Sequence, residues 1–317
     1  MSSFSGSKTP KWGDAAGFSR RELLRLALGA SALAFGGVAM EPSILKRPVP
    51  RTGELLPVIG LGTWQTFDVA QAASERAPLR QVLSEFVRLG GGVVDSSPMY
   101  GAAESVLGDL AAELGVRKQL FIATKVWTSG RDAGIRQMEY SFRRLRAERI
   151  DLLQVHNLVD WRTHLATLKQ WKQQDKVRTI GVTHYTASAY GELARVLETE
   201  ELDFVQINYS VAERDAERRL LPLAAERRVA VLANRPLAEG ALFRKVRGKP
   251  LPPWAAEIGC ATWAQFFLKF VVAHPAVTCA IPATSKAEHL VDNMRAGVAP
   301  LPDAATRERM ARYVEEL

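Results

Sequence analysis

At 317 residues, 47% of them hydrophobic, the chain holds enough apolar material for one large α/β domain or two smaller ones. Ordinary charge content and the absence of low-complexity tracts exclude a disordered or collagen-like protein, and Cys260 and Cys279, the only cysteines, read as small buried side chains and not as a disulfide framework. The net charge is +8, of which the first 40 residues carry +3; the remaining +5 suits an anionic cofactor or substrate and gives no argument for nucleic acid.

Residues 1–18 are polar and show no period. Ser19-Arg20-Arg21-Glu22-Leu23-Leu24-Arg25 follows, and then a weakly apolar run, Leu26–Met40, with three Gly and five Ala. The order of basic pair, basic flank and short apolar run resembles a twin-arginine export signal. The run is too short and Gly-rich for a bilayer span, which needs about 20 apolar residues. Gly37-Val38-Ala39 meets the small-residue cleavage rule only loosely, so a cleaved leader and an uncleaved membrane anchor both remain open. Residues 1–40 are therefore expected to be a leader that engages the export machinery, and residues 41–317 an exported, periplasmic body.

From residue 57 onward the pattern repeats. A short apolar run ends in polar or Gly residues, and a segment of helical period follows. The runs are Val58–Leu61, Gly92–Asp95, Phe121–Lys125, Asp151–Val155, Thr179–Thr183, Phe204–Ile207, Val229–Ala233 and Thr278–Ile281. Between them, Ile135, Met138, Phe142 and Leu145 fall on one helical face, and Ala261–Ala273 is apolar apart from Thr262, Gln265 and Lys269. Gly90-Gly91-Gly92 is placed to end the first helix. Lys249–Trp254 reads as a long loop after strand seven, and Asp303–Glu316 as a last helix. Arg143, Arg144, Arg146 and Arg149 read as the solvated face of a helix. Strands buried on both faces and alternating with helices form a parallel sheet. Eight such units over about 235 residues predict a closed (β/α)8 barrel, the TIM-barrel class, in a single domain. No Gly-x-Gly-x-x-Gly sits between a strand and a helix, which argues against a Rossmann domain.

In such a barrel, chemistry gathers at the carboxyl ends of strands. Those ends carry Asp95 with Tyr100 in the following loop, Lys125 near Trp127, His156-Asn157, Thr183-His184, Asn208-Tyr209 and Asn234-Arg235. A phenol, whose pKa is about 10, is a poor acid at neutral pH unless a neighbouring ammonium stabilises its anion. A buried ammonium in turn needs a carboxylate. Tyr100 as acid, Lys125 as tuner, Asp95 as anchor and His156 as orienting hydrogen-bond partner fit that logic. No metal site is expected, since one Asp and one His without further ligands at suitable spacing fall short.

These residues stand within motifs that together resemble the aldo-keto reductase superfamily from about Arg51 to Asn293. The motifs are Leu56-Pro57-Val58-Ile59-Gly60-Leu61-Gly62-Thr63-Trp64, Val94-Asp95-Ser96-Ser97-Pro98-Met99-Tyr100-Gly101, Ala123-Thr124-Lys125-Val126-Trp127, Arg149-Ile150-Asp151-Leu152-Leu153-Gln154-Val155-His156, Ile180-Gly181-Val182-Thr183-His184, Val205-Gln206-Ile207-Asn208-Tyr209 and Ile281-Pro282-Ala283-Thr284-Ser285-Lys286. The resemblance implies NADP(H)-dependent reduction of aldehydes or ketones, with Tyr100 protonating the carbonyl oxygen. It implies cofactor contacts from Thr63 and Trp64, from Thr183, His184 and Gln206 at the carboxamide, and from Tyr209 stacked on the nicotinamide. Arg235, Pro236 and Leu237 would run along the pyrophosphate. His184 stands where the family usually has Asn. Ala283 and His289 stand where many relatives have the Lys and Arg that hold the 2′-phosphate. Ser285 and Lys286 would supply that contact, and Asp292 and Asn293 would lie near the adenine. Trp64, Met99, Trp127 and Trp161 would line the substrate pocket, whereas Trp171 and Trp263 would pack in the core. A non-catalytic, cofactor-binding regulatory barrel and a lyase or isomerase on the same scaffold are the competing readings. A freely exchanging nicotinamide pool is not expected outside the cytoplasm, so export implies a cofactor loaded beforehand and held tightly.

Overall fold

The computed structural model describes residues 43–317; the twin-arginine motif and the apolar run after it lie outside them. Within the described residues, eight parallel strands follow one another in strict sequence: β3 (Leu61–Gly62), β4 (Val93–Asp95), β5 (Phe121–Val126), β6 (Ile150–His156), β7 (Val177–His184), β8 (Phe204–Asn208), β9 (Ala230–Asn234) and β10 (Val277–Ala280). Parallel bridges from Ile59 to Ala280 and from Gly62 to Ala283 join the first strand to the last and close the barrel. Each predicted run thus contains or overlaps its strand.

Ahead of the barrel comes an element that the sequence does not announce, an antiparallel hairpin of β1 (Lys46–Pro48) and β2 (Leu55–Pro57). Its Val49 and Leu56 plug the lower end of the barrel, joining Val93, Phe121, Ala123, Leu152, Phe204, Ala230, Leu232 and Cys279 in an inner core. A second, larger core lies outside the sheet. There the helices Ala73–Arg88, Ala103–Glu113, Trp161–Gln173 and Trp263–Val272 press Phe86, Leu107, Leu168 and Phe267 onto outward-facing strand residues such as Val94, Ile122, Leu153 and Val205.

Because side chains alternate along a strand, residues two apart share the inner face. Ala123 and Lys125 form one inward pair; Leu152, Gln154 and His156 continue a second row, and Phe204, Gln206 and Asn208 a third. The lower layers are therefore apolar and the upper layer polar, which places the chemistry at the mouth.

Several expectations are met in detail. Gly90, at φ +81°, follows the helix ending at Arg88; Asp303 caps Ala304–Glu316, its carboxylate accepting from the Thr306 amide; both cysteines are buried and free. Three are revised. The helix Arg131–Arg144 stops before Arg146, and the four arginines do not form one solvated face: Arg144 lies 3.6 Å from buried Glu104, Arg146 2.6 Å from Asp109, and Arg149 2.9 Å from Asp175. The loop expected over Lys249–Trp254 is irregular from Lys249 to Pro252 and is revised only at its end, where Pro253 and Trp254 open the 3-10 turn Pro253–Ile258. Trp161 is buried in the outer core, its indole N–H donating to Glu192, so it packs and does not line a pocket.

Candidate active site

Asp95 and Lys125 end one side of the barrel on adjacent strands, β4 and β5. Lys125 is fully buried, and its ammonium donates to both carboxylate oxygens of Asp95, at 2.8 and 2.7 Å, and to the Ser96 carbonyl at 2.7 Å. Burial pushes the lysine pKa down and the aspartate pKa up, while their mutual attraction opposes both shifts. Gln206 adds a donor to Asp95 at 3.2 Å and accepts from Gln154. Thr63 donates to the Asp95 carbonyl and to the Ser96 hydroxyl, which fixes the turn where β4 ends.

Tyr100 sits five residues beyond Asp95 in a loop pinned from two sides. Its amide donates to the Ser97 carbonyl, and Asp68, from the loop after β3, accepts from the Ala102 amide at 2.8 Å. Between them, Gly101 has φ +58°, and a Cβ there would come within 2.1 Å of the Asp68 carboxylate, so the turn needs glycine. The result brings the Tyr100 ring within 5.2 Å of the Lys125 ammonium and 5.9 Å of the His156 ring. The four residues picked out by strand-end chemistry therefore converge.

Two details refine the expected electrostatics. The Tyr100 pKa is raised, first by burial and then by the Asp95 charge, so the phenol is held in its protonated form and not made acidic in advance. Burial, then Lys125, then His184 push the His156 pKa down to about 2, leaving a neutral imidazole. Ser97, not singled out from sequence, faces His156 Nδ1 at 3.2 Å. With that hydroxyl as donor, the imidazole proton sits on Nε2. Trp64, Met99 and Trp127 are each about 40% exposed around this mouth, with the Trp127 ring 6.5 Å from His156.

The remaining cofactor candidates divide. Thr183 is buried at the end of β7, in register with His156. His184 is half-buried, and its Nδ1 accepts from the amides of Tyr185 and Thr186. Ser285, Lys286 and His289 are exposed at the start of the helix Ala287–Arg295. Others are already engaged. Tyr209 is fully buried; its hydroxyl donates to Glu217 and accepts from Arg307, and its ring packs on Phe270 and His274. It cannot offer a face to a nicotinamide, because it follows inward-facing Asn208 by one residue and so turns outward. Thr63 and Gln206 are likewise buried within the Asp95 network. Asp292 accepts from Thr262 and Gln265 at the head of the helix Trp263–Val272, and Asn293 is buried. Arg235 bonds the Tyr185 carbonyl and lies 3.1 Å from Glu239 and 3.8 Å from Glu213; Pro236 is buried and Leu237 packs on the outer core. Asn234, ending β9, keeps a buried Oδ1 with no partner.

A groove of about 900 Å³ opens at the opposite end of the strands, among Lys46, Arg117, Arg149, Asp151, Asp175 and Arg178. Its charges largely pair with one another, and none of the tetrad reaches it. The chemistry stays at the mouth.

Comparison with known proteins places the chain among relatives. The profile of the "Aldo/keto reductase family" matches residues 58–309. Methylglyoxal reductase YeaE of Escherichia coli is 29% identical over 75% of this chain and 84% of that protein. An NADH-specific methylglyoxal reductase of E. coli is 27% identical over 62% of this chain and 68% of its own length. An aldo-keto reductase from Klebsiella pneumoniae, crystallised in complex with NADPH, superposes with a TM-score of 0.72 and 26% identity, covering 87% of this chain and 96% of that one.

Proposed function

We propose, on the premise that this chain belongs to the aldo/keto reductase family, that it is an NADP(H)-dependent reductase of aldehydes and ketones in which Tyr100 supplies the proton. The observation that carries the reading is the meeting of a protonated phenol, a paired ammonium and a neutral imidazole at one barrel mouth. The residues fit a nicotinamide nucleotide. The unpartnered Asn234 Oδ1 offers an acceptor at the mouth, and Ser285, Lys286 and His289 offer donors at a helix N-terminus, where an anion is favoured. When bound, the cofactor supplies hydride to the carbonyl carbon.

The protein's own groups manage the oxygen. Tyr100 arrives protonated because burial and Asp95 disfavour its anion. As the carbonyl oxygen takes up charge, the phenol gives up its proton, and the Lys125 ammonium beside the ring stabilises the phenolate that forms. His156, neutral and oriented by Ser97, donates from Nε2 to hold the oxygen against the phenol. Trp64, Met99 and Trp127 give apolar walls to the carbonyl's substituent. The purified protein, given NADPH and short aldehydes, should consume nicotinamide absorbance. Tyr100→Phe should lower kcat/KM by about a thousandfold while nucleotide binding survives; a variant as fast as the parent would end this reading. Preference for NADPH over NADH rests on Lys286 and His289, and Lys286→Ala should narrow it.

The leader reading is part of the same proposal. Arg20-Arg21, the apolar run behind them and a body expected to fold around a bound nucleotide before crossing the membrane suit export of the folded, loaded protein. Changing both arginines to lysine should hold the protein in the cytoplasm, and native exported protein should release nucleotide on denaturation.

A further inference from the structure

One buried carboxyl group has no part in the proton transfer described above. Glu104, in the first turn of the helix Ala103–Glu113, is fully buried. Its Oε1 accepts from the Thr124 hydroxyl at 2.6 Å, whereas its Oε2 is closed to solvent and has no hydrogen-bond partner. Ser141 and Arg144 face it from the helix Arg131–Arg144, with the Arg144 guanidinium 3.6 Å away. Acidic side chains are seldom fully buried, and packing alone would be served better by an apolar residue. The start of a helix and a surrounding of hydroxyls and cations suit the ionised form. Burial pushes the Glu104 pKa up, and Thr124, Ser141, Arg144 and Lys125, in that order, pull it back.

The chain ties this carboxylate to both parts of the proton device. Tyr100 stands four residues before it, and the Tyr100 carbonyl accepts from the Ala103 amide. Thr124 and Lys125 are neighbours on β5. Side chains alternate along a strand, so Thr124 turns outward to Glu104 while Lys125 turns inward to Asp95. The strand that carries Lys125 thus has a carboxylate on each side. Asp95 and the Ser96 carbonyl take all three ammonium N–H groups, which leaves Glu104 to act across the strand by its charge alone. The other titratable groups that face Lys125 are Tyr100 and, from β6, His156.

We propose that Glu104 is a positioning residue that acts through Lys125: its charge, set behind β5 by the bond to Thr124, helps keep the lysine protonated in a buried site. The inference rests on the assignment of the Lys125 ammonium to stabilising the Tyr100 phenolate. Burial draws the lysine proton off; Asp95 opposes that most, and Glu104 adds to the opposition.

The test follows the Lys125 proton directly. In protein carrying nitrogen-15 lysine, the Lys125 Nζ signal should titrate about one pH unit lower in Glu104→Gln than in the parent, because removing a negative charge disfavours a nearby ammonium. The alkaline fall in kcat/KM for aldehyde reduction should move down with it. Glu104→Gln keeps the shape and the acceptor for Thr124. Thr124→Val does the reverse, cutting the bond and keeping the charge, and its midpoint should stay with the parent's. A Glu104→Gln midpoint that is unchanged or raised, a Lys125 that stays protonated throughout in both proteins, or a Thr124→Val shift as large as that of Glu104→Gln overturns the proposal. A parent that reduces no aldehyde overturns the reductase reading, while the nitrogen-15 titration still decides this one.

Discussion

The two halves of the barrel mouth solve different problems. On β4, β5 and β6, single side chains at strand ends do the work: Asp95, Lys125 and His156 are placed by the sheet itself, and Tyr100 by a short pinned turn. Around β8, β9 and β10, where a nucleotide would lie, the candidate groups sit in loops and at a helix start, and several have taken partners of their own. Proton transfer tolerates little displacement, so the first half is tied to fixed registers. Holding a phosphate or an adenine can be shared among backbone amides, hydroxyls and cations, so the second half is free to vary.

If the first half is as rigid as this contrast implies, breaking it should cost most. Lys125→Met strands the Asp95 carboxylate in a buried site and should destabilise the fold by about 3–5 kcal/mol in denaturant titration, besides abolishing activity. Next comes His156. Its folded pKa, about 2, lies below the value of 6.5 for an unperturbed imidazole, so below pH 6.5 the unfolded chain binds the extra proton. Its contribution is present above that pH and is lost on acidification, at about 1.4 kcal/mol per pH unit. His156→Gln should flatten that part of the stability–pH curve. Gly101→Ala, which meets both the left-handed backbone and the Asp68 carboxylate, should cost about 1–2 kcal/mol and lower kcat by displacing Tyr100. The smallest effect belongs to the second half. Tyr209→Phe removes a hydroxyl shared by Glu217 and Arg307 and should cost about 1 kcal/mol, with NADPH affinity unchanged by fluorescence titration. A marked loss of affinity would return Tyr209 to the cofactor site.

The same contrast explains what could be read from sequence. The eight strands were legible because each is buried on both faces and so reads as an uninterrupted apolar run. The tetrad was legible because a strand end in a parallel barrel is also a place in space. The hairpin of Lys46–Pro48 and Leu55–Pro57 left no such trace: its strands are short, each ends in Pro, and what it buries is chiefly Val49 and Leu56. The outward turn of Tyr209 depends on Glu217 and Arg307, partners 8 and 98 residues away that no local pattern connects to it. Ser97 was in view beside the tetrad, but its role depends on a ring orientation that appears only in three dimensions.

Lys125 carries one more consequence. Three acceptors, two from Asp95 and one from Ser96, take up its three N–H groups. The ammonium therefore has no hand left to extend toward an arriving molecule, and it has no vacancy to fill when one departs. It serves as a standing field, set when the chain folds, and the phenol next to it meets the same potential in every cycle.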